Sequence, residues 1–321
     1  MSEFSLIHRH FKHATQKHIN TTLGIGDDCA VSIIPPDCEL VSCMDTLVAG
    51  RHFPLDTHPY AIGYKSVAVN LSDIASMGAT PYAILLGLSL PSNDDEWLKE
   101  FARGIGDICK KFNVELIGGD TTKSDILTIS ITALGFIKKD KSIKRNNAKI
   151  GDIICVSGNI GSASLALKHI LGEHGHCKHN NSLNELSPTL RNALQYPLPQ
   201  VELGQKLIGF ATSMIDISDG LGQDLGHILN NSQVGAKLYL ENIPCADEVN
   251  ALPFNQKYQH ILNGGDDYQL CFTLPQENFD KFNQQYPNLI YPIGEIAEKQ
   301  GIEIYYQNQK IDFKMKGWEH F

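Results

Sequence analysis

Six times in this chain an Asp stands in a short string that also holds Gly or Ser, where an apolar run ends or a helical face turns. The strings are GIGDDCA (Asp27, Asp28), SCMDTLVAGRHF (Asp45), VNLSDIASMGA (Asp73), LIGGDTT (Asp120), MIDISDGL (Asp216, Asp219) and LNGGDDYQL (Asp266, Asp267). Helical and strand periodicities alternate along the same stretches. Between Tyr60 and Met77, Ala61, Tyr64, Val67, Ala68, Leu71, Ile74 and Ala75 recur at three- and four-residue steps, which predicts an amphipathic helix. Asn93 to Lys111 predicts a second helix, whose polar, acidic opening suits the positive end of the dipole. From Leu127 to Ala133, apolar residues alternate with Thr128, Ser130 and Thr132, the pattern of a strand with one buried face. This alternation predicts an α/β protein whose loops at strand ends carry its chemistry.

At 321 residues the chain is longer than one typical domain. A polar, largely basic stretch from Lys138 to Lys149 separates two halves, and GDIICVSG then restarts a strand. The expected domains are therefore 1–140 and 141–321. In the second, Ser162–Leu171 and Leu221–Leu229 read as helices, and SMIDIS, AKLYL and YQLCFTL as strands. Glu173–Ser187 reads as a polar surface loop.

Charge narrows the function. The balance is 27 − 36 = −9, with basic residues scattered, which argues against nucleic-acid binding. An acidic chain that binds phosphates needs metal ions or backbone amides between the two sets of negative charge. No run approaches the ~18 apolar residues of a membrane span, and the charged N-terminus lacks the pattern of a signal peptide. Eight cysteines without a CxxC pair read as reduced thiols, so a soluble cytoplasmic protein is expected. His8, His10, His13 and His18 show no ligand spacing and read as solvent-facing. His174, His176, Cys177 and His179 crowd one loop without a structural zinc pattern.

Any one Asp–Gly string also fits an ordinary surface turn, because Asp caps turns and Gly permits positive φ. The set asks for more. Crowded carboxylates repel, so cations must accompany them. Hard Mg²⁺ ions suit carboxylate oxygens and bind substrate phosphates as well. The glycines of GIGD and IGGD let backbone N–H groups approach phosphate oxygens. The chain lacks GxxxxGK[ST], lacks a GxGxxG after a strand, and its DISDG run departs from an EF-hand loop. Arg145, in the basic stretch, and Arg51 with His52, after Asp45, are candidate anion contacts. Trp318 is a candidate stacking platform for a flat heterocycle.

In order and together, the six strings resemble the thiamine-monophosphate kinase family of the aminoimidazole ribonucleotide synthetase superfamily, over nearly the whole chain. The resemblance implies a homodimer with an N-terminal α/β domain whose sheet or barrel spans the dimer, and a C-terminal α/β domain with a mixed sheet. The first domain would bind ATP and Mg²⁺, and the second would complete the active site. The implied reaction moves the γ-phosphoryl group of ATP in line onto the phosphate of thiamine monophosphate, with several Mg²⁺ ions and no covalent phosphoenzyme. Asp28, Asp45, Asp73, Asp120, Asp216 and Asp219 would be Mg²⁺ ligands, with Asp120, Asp216 and Asp219 central to catalysis. Gly119, Asp120, Arg145 and Ser218 would meet ATP, and His52, Asp266 and Trp318 the thiamine phosphate. Two departures stand out. Cys43 and Met44 precede Asp45 where the family has Ser or Thr, so metal contact there would use backbone carbonyls. Asp266 replaces a Glu and reaches one methylene less far. The rival readings are another Mg²⁺/ATP-dependent synthetase of the superfamily, a Mg²⁺-dependent phosphohydrolase and a nucleotide-binding regulatory module.

Overall fold

The computed structural model describes residues 3–171 and 183–315, and they form a mixed α/β protein. The chain divides into two compact units, residues 1–74 with 79–140, and residues 75–78 with 141–321.

The first unit opens with α1 (Glu3–Leu6) and a π-helical turn, Ile7–Phe11. A small hairpin follows, β1 (Thr21–Leu23) against β2 (Val31–Ser32). The main sheet has four strands: β3 (Cys38–Val48), β4 (Thr80–Leu90), β5 (Glu115–Lys123) and β6 (Thr128–Lys138), in the order β3-β6-β4-β5. β6 is antiparallel to both of its neighbours, while β4 and β5 run parallel. The strand read from residue 127 continues to Lys138, with burial alternating as far as Gly135, and Ile129, Ile131 and Ala133 are fully buried.

Two 18-residue helices, α2 (Pro59–Ser76) and α3 (Asp95–Phe112), pack at a pair of glycines. A Cβ on Gly63 would lie 2.2 Å from the Phe101 carbonyl oxygen, and one on Gly104 would lie 2.1 Å from that of Tyr60. Asp94 caps α3 by accepting the N–H groups of Glu96 and Trp97, and left-handed Asn113 ends it. The predicted amphipathic helix is instead buried on most sides, with Lys65, Ser66, Asn70 and Ser72 all enclosed. Of the histidines expected to face solvent, His8 and His13 are exposed, but His10 and His18 are not. The His18 N–H donates to Glu115 at 2.7 Å, and the His10 ring meets Asp95 at 2.9 Å. These partners hold the N-terminal segment against β5 and α3, which turns both side chains away from water.

The second unit holds a seven-stranded sheet of β7 (Ile153–Val156), β8 (Ser213–Asp216), β9 (Gly235–Tyr239), β10 (Leu270–Leu274), β11 (Tyr291–Ala297), β12 (Gly301–Tyr306) and β13 (Gln309–Ile311). The order is β13-β12-β9-β11-β7-β10-β8, antiparallel except for β9 beside β12. The helices are α4 (Ser162–Leu171), α5 (Pro188–Gln195), α6 (Val201–Lys206), α7 (Leu221–Ser232), α8 (Asp247–Asn250), α9 (Phe254–Asn263) and α10 (Gln276–Gln285). Sheet and helices share a core that includes Ile154, Val156, Ile215, Leu225, Leu238 and Ile293. Much of the predicted loop from Glu173 to Ser187, with its His and Cys cluster, lies outside the described residues. Its end forms a single 3₁₀ turn, Leu183–Glu185.

Candidate active site

In the first unit, Asp45 and Asp120 lie inside β3 and β5 rather than in the loops expected at strand ends, because both strands run on past the aspartates. Asp120 pairs in register with Gly87 of β4, just beyond a bulge. Beside it, Gly119 has φ +152°, and a Cβ there would lie 1.9 Å from the Leu86 carbonyl oxygen. Only glycine lets the two strands close there. Gly119 and Asp120 line a cavity of about 830 Å³, together with Asp27, Asp28 and the exposed Cys29. Phe11, Tyr82 and Ile117 give it apolar walls.

Asp45 is tied to α2, the helix that carries Asp73, by a residue the strings did not single out. Asn70 is fully buried on α2, one turn before Asp73. Its Oδ1 accepts the Asp45 N–H at 3.0 Å, and its Nδ2 donates to the Ser66 carbonyl at 3.0 Å. The Cys43 thiol donates to the Asn70 carbonyl at 3.3 Å. Burial, then the charges of Asp73 and Asp45, push the Cys43 thiol far up, so it stays protonated. Strand alternation turns Met44 the other way, where it is 63% exposed. After β3, the Val48 N–H donates to His52 Nδ1 at 3.0 Å, which makes that nitrogen an acceptor and fixes the ring.

In the second unit, Asp216 ends β8 and is buried. The next turn, Ser218–Gly220, leads into α7. All three of its N–H groups donate to one oxygen, Oδ2 of Asp224, at 3.0, 3.1 and 3.1 Å. Burial, then the charge of Asp216, push Asp224 up to about 7. The GGDD string lies alongside. The Asp266 N–H donates to the Ser218 carbonyl and the Tyr268 N–H to the Ile217 carbonyl, both at 2.8 Å, which stitches the string to the turn after β8. Tyr268 Oη donates to Asp266 Oδ1 at 2.9 Å. Asp266 holds φ +69°, a left-handed conformation that suits so short a polar side chain. Its neighbour Asp267 is buried, and both of its oxygens accept the N–H of Gly161, just before α4, at 3.0 and 2.9 Å. Arg145 is exposed, and its carbonyl accepts the Ser232 hydroxyl. Trp318 lies outside the described residues.

The candidate metal ligands thus fall as Asp28, Asp45, Asp73 and Asp120 in the first unit and Asp216 and Asp219 in the second. Among the described residues, no group of three or more His, Cys, Asp or Glu side chains is placed to hold a metal ion. The donors are nevertheless carboxylates, hard oxygen ligands, and that chemistry fits Mg²⁺, which is commonly held by one or two carboxylates. Asn70 and Asp224 escaped the sequence reading. Their only signals were a polar residue one turn from Asp73 and a third Asp after DISDG.

Residues 26–137 match the N-terminal domain of AIR synthase related proteins, and residues 149–307 match the C-terminal domain. Fold and site together thus define a two-domain protein of the AIR synthase related class. Within it the chain is 41% identical to the thiamine-monophosphate kinase of Haemophilus influenzae, covering 94% of this chain and 91% of that one. The crystal structure of thiamine-monophosphate kinase from Stenotrophomonas maltophilia superposes with a TM-score of 0.84 at 37% identity, covering 95% of this chain and 96% of that one. A structure described as AaThiL complexed with AMPPCP and TMP gives a TM-score of 0.76 at 28% identity, covering 90% and 89%. The chain belongs to the thiamine-monophosphate kinase family. No helix among the described residues is long and apolar enough to cross a membrane.

Proposed function

We propose that the chain is a Mg²⁺-dependent kinase that transfers the γ-phosphoryl group of ATP onto the phosphate of thiamine monophosphate, giving thiamine diphosphate and ADP. The observation that carries this reading is the cavity of about 830 Å³ in which Gly119 and Asp120 share a wall with Asp27 and Asp28. It is of nucleotide size, apolar at its sides and acidic where a metal-bound phosphate chain would enter. The family relationship names the acceptor.

In this reading Asp28, Asp45, Asp73, Asp120, Asp216 and Asp219 hold Mg²⁺, and Cys43 and Met44 offer only their carbonyls. Scattered aspartates suit Mg²⁺, which is commonly held by one or two carboxylates and completed by phosphates and water. When bound, the ions neutralise the phosphates and orient them for in-line transfer. Gly119, Asp120, Arg145 and Ser218 bind ATP, while His52, Asp266 and Trp318 bind thiamine monophosphate. The acceptor phosphate is already ionised at neutral pH, so no side chain has to remove its proton. Catalysis then rests on Asp120, Asp216 and Asp219 fixing the charge that the reaction redistributes. Residues 1–140 form the ATP- and Mg²⁺-binding domain, and residues 141–321 supply the remaining ligands.

We assign the working form as a cytoplasmic homodimer joined through the first domain. That domain leaves Val31, Ile33, Ile34, Leu40 and Met44 exposed, apolar groups that a second copy would cover.

The test is purified protein with Mg-ATP, with and without thiamine monophosphate, assayed for ADP and thiamine diphosphate. Both products should appear only with the acceptor, and Asp120→Asn or Asp216→Asn should abolish them at limiting Mg²⁺. ADP release without the acceptor would identify a phosphohydrolase, and nucleotide binding without turnover a regulatory module.

A further inference from the structure

The turn after β8 has the form of an anion-binding nest. Three successive N–H groups, of Ser218, Asp219 and Gly220, converge at the N-terminus of the 12-residue helix α7. In this chain the nest is already filled. Asp224, in the first turn of α7, folds back and places Oδ2 within 3.0 to 3.1 Å of all three nitrogens. The residue is 2% exposed, so neither solvent nor a ligand phosphate competes for those donors.

We propose that Asp224 is a positioning residue of the metal site, whose carboxylate oxygen locks the Ser218–Gly220 turn and so fixes where Asp216 and Asp219 present their side chains. The inference rests on the proposed function in taking Asp216 and Asp219 as Mg²⁺ ligands. Three features carry it. One acceptor atom gathers three donors, so the turn has a single well-defined arrangement. Gly220, at φ +121°, sits in a conformation that only glycine adopts readily, and it needs that fixed partner. Finally, the oxygen bonds the N–H of Asp219 itself as well as those of its two chain neighbours, so the lock acts directly on a presenting residue. The turn therefore presents Asp216 and Asp219 for ligation, and any phosphate contact at Ser218 falls to its hydroxyl rather than its N–H.

The distinguishing pair of variants is Asp224→Ala and Asp224→Asn. Asn keeps an oxygen that can accept the same N–H groups but drops the charge, whereas Ala empties the nest. Two readouts are taken: hydrogen exchange of the backbone amides from residue 216 to 221, and Mg²⁺ binding by titration calorimetry in the presence of AMPPCP. Steady-state turnover against Mg²⁺ and against thiamine monophosphate is measured beside them. In Asp224→Ala the amides should exchange at least about tenfold faster and Mg²⁺ affinity should fall about tenfold, corresponding to the loss of one acceptor shared by three N–H groups. The KM for thiamine monophosphate should rise less than the Mg²⁺ requirement does, since of the proposed pocket residues only Asp266 is bonded to this turn. Asp224→Asn should restore both exchange and Mg²⁺ affinity. Wild-type Mg²⁺ affinity in Asp224→Ala would overturn the proposal. So would Asp224→Asn as impaired as Asp224→Ala, because the charge itself would then be the ligand. If Asp224→Ala does not fold, Asp224→Ser, whose hydroxyl cannot span three amides, carries the same comparison. Absence of thiamine diphosphate formation by wild-type protein would refute the kinase reading, while the exchange result would still decide the role of Asp224 in the turn.

Discussion

Removing the side chain of Asn70 should loosen the first unit and the placement of Asp45 together. Asn70→Ala deletes the acceptor of the Asp45 N–H and the donor to the Ser66 carbonyl, both at 3.0 Å, from a residue with no exposed surface. The Ser66 carbonyl keeps its place in the helix ladder, but the Asp45 N–H, on the edge strand β3, gives its hydrogen to Asn70. A partly enclosed amide left without a partner costs roughly 1–3 kcal/mol. The small void adds roughly another 0.5–1 kcal/mol. The total of about 2–4 kcal/mol should lower the melting temperature of this unit by about 5–15 °C. Turnover at limiting Mg²⁺ should fall by at least about tenfold as Asp45 drifts from Asp73. Asn70→Asp sharpens the test. Its protonated carboxyl can make both bonds, but ionisation buries a charge beside Asp45 and Asp73. Its folded-state pKa therefore rises, and the stability that the protonated form contributes is lost as pH climbs above the ordinary carboxylate range of about 4. Calorimetric melts from about pH 4 to 8, run with the kinetic assay, measure both effects. An Asn70→Ala melting temperature within about 2 °C of wild type, with an unchanged Mg²⁺ requirement, would refute the anchoring role.

Other perturbations have equally definite outcomes. Gly63→Ala would place a Cβ 2.2 Å from the Phe101 carbonyl and force α2 and α3 apart, costing about 3 kcal/mol or more, to be read by denaturant titration. Gly119→Ala faces a 1.9 Å clash with the Leu86 carbonyl, so nucleotide affinity should drop by at least about tenfold in calorimetry, along with stability. Burial pulls His260 down to about 4 from an ordinary value of 6.5. Its contribution is therefore present above pH 6.5 and lost as pH falls toward 4, and His260→Gln should flatten the acid limb of a stability–pH curve.

The elements most legible in the sequence were those with local signals. Ser162–Leu171 forms a helix with the predicted bounds, and the helix predicted at Leu221–Leu229 extends only to Ser232. The six strings located every candidate aspartate. The strand positions of Asp45 and Asp120 were not legible, because an Asp in a string with Gly or Ser signals a turn whatever the distant partner strand does. The order of the seven-stranded sheet was hidden for a related reason: its pairings join residues as far apart as Ile153 and Glu295. Asn70 and Asp224 act through bonds to backbone amides, which no residue pattern displays. On α2, enclosure of Lys65 and Asn70 overrode the polar face that periodicity assigned them.

Cys29 offers experimental access of a different kind. Burial raises the thiols of Cys43, Cys109, Cys155, Cys245 and Cys271, which slows their reaction with alkylating reagents. Cys29, by contrast, is exposed and stands in the cavity wall next to Asp28. The chain thus carries its own occupancy gauge. Alkylation at Cys29, followed peptide by peptide in a mass spectrometer, should slow when nucleotide fills the cavity, with no label added beforehand.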